Sequence, residues 1–114
     1  MKVEELLQLI EGKVLTSADY SSLNIEYGLN SDLMSDVLTL DVENAVLISG
    51  LANLQTIRTV EMSDIACVVI ARNKTVTPEM IELANEGEIT VIDSPYTSFR
   101  IAGILYNKGI KALY

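Results

Sequence analysis

Asp32 and Asp36 stand four residues apart with Ser35 between them. On a short helix that spacing sets two carboxylates on one face, an arrangement that would serve a cation or general acid-base chemistry. Two carboxylates alone are no metal site, so no metal is expected. The plainer reading gives Asp32 a solvated capping role and Asp36 a structural hydrogen bond to neighbouring amides. A second candidate is Gly50-Leu51-Ala52-Asn53, between an apolar run and a helical pattern. In a parallel sheet its amides open toward the crevice at the carboxyl ends of the strands, where an anion can dock. It lacks both the phosphate loop ending in Gly-Lys-Ser/Thr and the Gly-x-Gly-x-x-Gly fingerprint, and a tight turn with a capping asparagine is the plainer account. Asp64, Asp93 and Ser94 sit beside strand ends as turn and cap residues. Arg58, Arg72 and Arg100 are dispersed and form no phosphate clamp in the sequence, and the five tyrosines are scattered.

The composition narrows the chemistry. Histidine is absent, which removes Ser-His and Cys-His pairs and imidazole metal sites. Cys67, the one cysteine, lies in an apolar run and reads as a small buried hydrophobe. Sixteen acidic against eight basic residues give a net charge of -8, the wrong sign for unassisted attraction to nucleic acid or anionic lipid. No apolar run approaches the length that crosses a bilayer, and the acidic, amphipathic start is unlike a secretory signal. The expectation is a soluble cytoplasmic protein, and 114 residues suit one domain spanning 1–114.

The elements that must position these residues repeat. Apolar runs beginning at Ala45, Ile65 and Ile89 are each followed by a turn and a helical pattern, which predicts an α/β domain with a mostly parallel central sheet. Ahead of them, Lys2 to Glu11 carries Val3, Leu6, Leu7 and Ile10 on one helical stripe, with Gly12 as a left-handed stop. Lys13 to Thr16 reads as a short strand, Leu23 to Tyr27 as a half-buried or edge strand, and Ser31 to Leu38 as one or two helical turns capped by Ser31 or Asp32. The later helices run from Leu54 to Ser63, capped by Asn53 and burying Leu54, Ile57 and Val60 with Glu61 or Met62 beside them; from Pro78 to Gly87, capped by Thr77; and from the Ser94 to Thr97 region to Asn107. The last is apolar over most of its circumference, as a helix buried twice would be, and Ile110, Ala112, Leu113 and Tyr114 follow it. A homodimer or higher even oligomer is expected.

Three segments, Asp32 to Leu38, Pro78 to Ala84 and Tyr96 to Tyr106, resemble the DRTGG domain family over nearly the whole chain. The motif that names the family is reduced here to Gly28 within Ser22 to Gly28. The resemblance implies a three-layer α/β/α domain similar to the amino-terminal domain of HPr kinase/phosphorylase. It further implies a non-catalytic, regulatory or assembly-forming role, with no cofactor. The expected partners are a second copy, a small anionic or nucleotide-like ligand, and a partner enzyme. The expected ligand site is where Gly50 to Asn53 meet Asp32, Ser35 and Asp36, with Ser94 and Thr97 on its rim. There an anion meets the opposing charge of Asp32 and Asp36 unless those carboxylates face elsewhere. The alternatives are a small enzyme using Asp32, Ser35 and Asp36, and a transcription regulator.

Overall fold

A computed structural model describes residues 1–40 and 42–114. Six strands form one sheet: β1 (Lys13–Val14), β2 (Tyr27–Asn30), β3 (Ala45–Ser49), β4 (Cys67–Ile70), β5 (Thr90–Asp93) and β6 (Lys111–Ala112). Their order is β1-β5-β4-β3-β2-β6, with β1 antiparallel to β5 and every other neighbour parallel. Five helices cover it: α1 (Val3–Ile10), α2 (Met34–Leu38), α3 (Leu54–Met62), α4 (Pro78–Glu86) and α5 (Ser98–Asn107).

The near-continuous apolar strands follow from cover on both faces. Val46, Ile48, Cys67, Val69 and Ile92 point to one side, where they meet Val3, Leu6 and Ile10 of α1 and Ile101 and Leu105 of α5. The alternate residues Leu47, Val68, Ile70 and Val91 meet Met34 and Val37 of α2, Ile57 and Val60 of α3, and Met80 and Ala84 of α4. Pleating sends successive side chains to opposite faces, so a strand between two helical layers is apolar along its middle, and polar residues such as Ser49 and Thr90 stand at strand ends. Cys67 is fully buried in β4, and desolvation pushes its thiol up to about 12.

Several local expectations are corrected. Leu23 to Glu26 is not strand: β2 starts at Tyr27 and lies inside the sheet, because β6 pairs along its outer side. The apolar-polar alternation before it comes from buried Ile25 and half-buried Leu23 plugging the α1/α5 core. Gly28 carries no turn; a Cβ there would meet Ile110 Cγ2 at 3.2 Å, so the glycine admits the side chain that leads into β6. The first helix ends on Glu11, which takes the left-handed φ of 52°, not on Gly12. Gly12 is needed instead for space, since its Cβ would stand 2.8 Å from Ile92 Cγ2. Neither Ser31 nor Asp32 caps α2, whose cap position is Leu33; Ser31 Oγ accepts the Leu33 amide and Asp32 is engaged elsewhere. In α3, Leu54 and Met62 are exposed and the inward face is Thr56, Ile57, Thr59 and Val60. Thr56 can be buried there because its hydroxyl donates to the Leu51 carbonyl at 2.8 Å.

Three helix-to-strand connections are built alike. After α3, α4 and α5 the chain turns through a residue of positive φ: Asp64 (56°), Glu88 (56°) and Gly109 (98°). Each is followed by a buried isoleucine whose amide donates back to the helix: Ile65 to Val60 at 3.1 Å, Ile89 to Ala84 at 2.9 Å and Ile110 to Leu105 at 3.1 Å. This helix-ending geometry satisfies orphan carbonyls and seats an apolar residue against the last turn. Gly87, expected to close α4, has φ -88°; Glu88 makes the left-handed turn.

Candidate functional site

The loops that leave β2, β3, β4 and β5 all emerge at the carboxyl edge of the sheet, where α3, α4 and α5 begin. Backbone hydrogen bonds stitch these loops together. The Ala71 amide donates to the Ser49 carbonyl at 2.9 Å, Arg72 to Tyr96 at 2.9 Å, Asn73 to Ser94 at 2.9 Å, and Ser31 to Ile48 at 3.0 Å.

Asp32 and Gly50, placed in one site from the sequence, are in contact. Asp32 Oδ1 accepts the Gly50 amide at 2.7 Å and the hydroxyl of fully buried Ser49 at 3.0 Å. Ser49 Oγ in turn accepts the Leu51 amide at 3.1 Å. A Cβ on Gly50 would lie 3.3 Å from Asp32 Oδ2, so the missing side chain lets the carboxylate approach. Asn53 caps α3, its Oδ1 accepting the Thr56 amide at 2.9 Å. The loop after β3 is thus shaped for an anion and already holds one, the Asp32 carboxylate. Asp32 lies ahead of α2 and not on it, so the expected pair of carboxylates on one helical face is not formed; Ser35 and Asp36 sit exposed on α2.

Ser94 is fully buried and faces inward. Its hydroxyl donates to the Ile10 carbonyl at 2.7 Å and accepts the Tyr96 amide at 3.2 Å, tying the end of α1 to the start of α5. Thr97 caps α5 by accepting the Arg100 amide at 3.2 Å. Asp93, at the end of β5, has one buried carboxylate oxygen without a hydrogen-bond partner among the described residues.

The sequence reading missed that two cation-bearing loops are joined. Arg72 and Arg100 are 28 positions apart in the sequence, yet both engage Tyr96: the Arg72 amide donates to its carbonyl, and the Arg100 guanidinium lies over its ring, 3.7 Å from the centroid. Lys74 follows in the same loop. The signal was present in the repeat, since both arginines follow strands that end one beside the other.

Two openings adjoin these elements. A cleft of about 570 Å³ separates the starts of α3 and α4, lined by Ala52, Asn53, Leu54, Gln55, Thr77 and Glu79 among others. An apolar cavity of about 170 Å³ lies between α5 and β2 and β6, beside Asn30, Ala102, Tyr106 and Ala112. The second is below the few hundred cubic ångströms that small-molecule sites occupy. No group of three or more acidic or thiol side chains positioned for a metal occurs among the described residues, and no helix is long and apolar enough to cross a membrane.

No curated protein matches this chain. Among solved structures it is similar to the CBS and DRTGG domains of the regulatory region of Clostridium perfringens pyrophosphatase, complexed with the activator diadenosine tetraphosphate. The identity is 17% and the TM-score 0.70, over 91% of this chain, and the chain spans 45% of that structure's length. At that identity the likeness is one of fold, and it agrees with the three layers. The family model described as HPr Serine kinase N terminus matches residues 48–107, from the end of β3 to the end of α5. This chain, whose segments resemble DRTGG domains, belongs to the HPr Serine kinase N terminus family.

Proposed function

We propose that this chain is a single-domain, non-catalytic regulatory module that responds to a small anionic or nucleotide-like ligand, docks on a partner enzyme and self-associates. The observation that carries the reading is the fold shared, over nearly all of the chain, with a regulatory region that was captured with an activator. The local chemistry agrees with it. Asp32, the carboxylate that an acid-base reading would use, is spent on Gly50 and Ser49. The ligand face is the carboxyl edge, with Asp32, Ser35, Asp36, Gly50 and Asn53 on its β2 and β3 side and Thr97 on its β5 side, Ser94 lying buried beneath. Loops at that edge are carried on rigid elements, where binding residues concentrate in open parallel sheets.

Self-association uses the outer face of α5. Ile101 and Leu105 are consumed by the chain's own core, which leaves Phe99 (87% exposed) and Tyr106 (69%) as an outward aromatic pair flanking Gly103. Apart from its chain neighbours and the backbone of its own helix, nothing among the described residues lies within 4 Å of where a Gly103 Cβ would be. A glycine inside an exposed helix face costs about 1 kcal/mol relative to alanine, a cost that close approach of a second helix offsets.

The test is native mass spectrometry of the purified chain together with phosphatase and kinase assays. An even oligomer with no turnover above background supports the reading. Turnover that disappears in Asp32→Asn would overturn it in favour of a small enzyme.

A further inference from the structure

We infer that the loop after β4 and the start of α5 form a binding site for a small-molecule oligophosphate, held by Arg72, Lys74 and Arg100. The inference adds a location and a ligand chemistry to the regulatory reading above and rests on it.

The charge distribution carries the argument. Two stretches, 71–77 and 94–100, contain three of the chain's eight basic residues and none of its sixteen acidic ones. In a chain of net charge -8 such a pair of loops opposes the overall composition. The fold then joins them: the Arg72 and Asn73 amides bond to the Tyr96 and Ser94 carbonyls, and Ser94 is itself pinned to Ile10. Arg72, Lys74 and Arg100 are exposed, and among the described residues none of them is ion-paired with a carboxylate. Like charges carried on two joined loops without counter-charge disfavour one another, and a multiply charged anion relieves that cost.

The site is also held in advance. Arg72 and Asn73 take consecutive left-handed conformations, φ 62° and 51°, which L-residues adopt only at a cost, and the two inter-loop bonds hold them there. Arg100 is oriented by stacking on Tyr96 rather than free to sweep solvent. A guanidinium fixed in this way, beside a loop whose backbone is held, suits the oxygens of linked phosphates.

The competing locations are poorer hosts for an anion. The Gly50 amide already binds Asp32, and the cleft between α3 and α4 has Glu79 on its wall. The sequence neighbours that flank the cationic loops, Asp93 and Glu79, set their limits. Asp93 shares register with Ile70, which packs in the α2 to α4 layer.

Calorimetry on the full chain with tripolyphosphate, ATP and adenosine tests the site, with Arg72→Gln, Arg100→Gln and, as a charge-matched control on α3, Arg58→Gln. We expect tripolyphosphate and ATP to bind, adenosine to fail, and each of the first two variants to bind about tenfold more weakly, the worth of one charge-assisted hydrogen bond. Arg58→Gln should bind as the native chain does. Raising the salt should weaken binding by the native protein, a readout that needs no variant. No binding of either phosphate compound, or equal weakening in all three variants, overturns the inference. Adenosine binding as well as ATP also overturns it, since the base would then be the recognised part; that outcome leaves the regulatory reading standing. Turnover of ATP without loss of binding in Arg58→Gln overturns the regulatory reading and leaves the phosphate site.

Discussion

The two ends of the sheet solve the same problem by different means. At the amino edge three connections repeat one device, a left-handed residue and then a buried isoleucine bonded back to its helix. At the carboxyl edge side chains hold the loops: Asp32 on Gly50, Ser49 on Leu51, Asn53 on Thr56, Ser94 on Ile10. Charge is arranged differently too. Glu43, Glu61, Asp64, Glu86 and Glu88 lie at or beside the amino-edge connections, together with Lys108, whereas the carboxyl edge separates its charges, with Asp32 and Asp36 after β2 and only cations in the loops 71–77 and 94–100. A backbone device tolerates almost any exposed side chain, so that edge is free to be acidic and interchangeable. An edge held by particular side chains is where a change of residue becomes a change of chemistry.

Substitutions can separate the two. The largest effect is expected at the repeated device: Ile65→Ala, Ile89→Ala and Ile110→Ala should each cost about 3 kcal/mol in urea unfolding and leave oligophosphate affinity unchanged. Unequal costs would break the claim that the three connections are equivalent. Next is Asp32→Ala, which strands the Gly50 amide and the buried Ser49 hydroxyl; about 2 kcal/mol should be lost. Smaller, and of opposite sign, is the relief of left-handed residues. Glu88→Gly and Arg72→Gly should each raise stability by about 0.5–1 kcal/mol, but only Arg72→Gly should weaken ATP binding in calorimetry. The smallest change in stability is expected for Phe99→Ser, within about 0.5 kcal/mol, accompanied by a lower mass in light scattering.

The sheet was legible because strands buried on both faces leave unbroken apolar runs, as in Ala45 to Ser49, and helix starts were legible where Asn53 and Thr77 mark them. β6 escaped notice, since two exposed residues carry no periodicity. So did the true start of β2, where Gly28 and Asn30 disfavour strand and only the neighbouring strands specify it. Of the expected site, the meeting of Asp32 with Gly50 was foreseen as proximity, not as a hydrogen bond that fills the loop. Ser94 read as a rim residue because a serine after a strand looks alike whether it faces solvent or the end of a helix 84 positions away. Arg72 and Arg100 looked dispersed because sequence distance says nothing about two adjacent parallel strands ending side by side.

The lone thiol of Cys67 gives the molecule a built-in clock. It sits in β4, between β3 and β5, with no exposure and with its ionisation pushed up to about 12. A thiol reagent therefore cannot reach a reactive thiolate until β4 itself is uncovered. The rate of modification then counts openings of the middle of the sheet, one event per molecule, with no probe added and no residue replaced. If an anion bound at the carboxyl edge tightens the fold, the clock slows in proportion to occupancy.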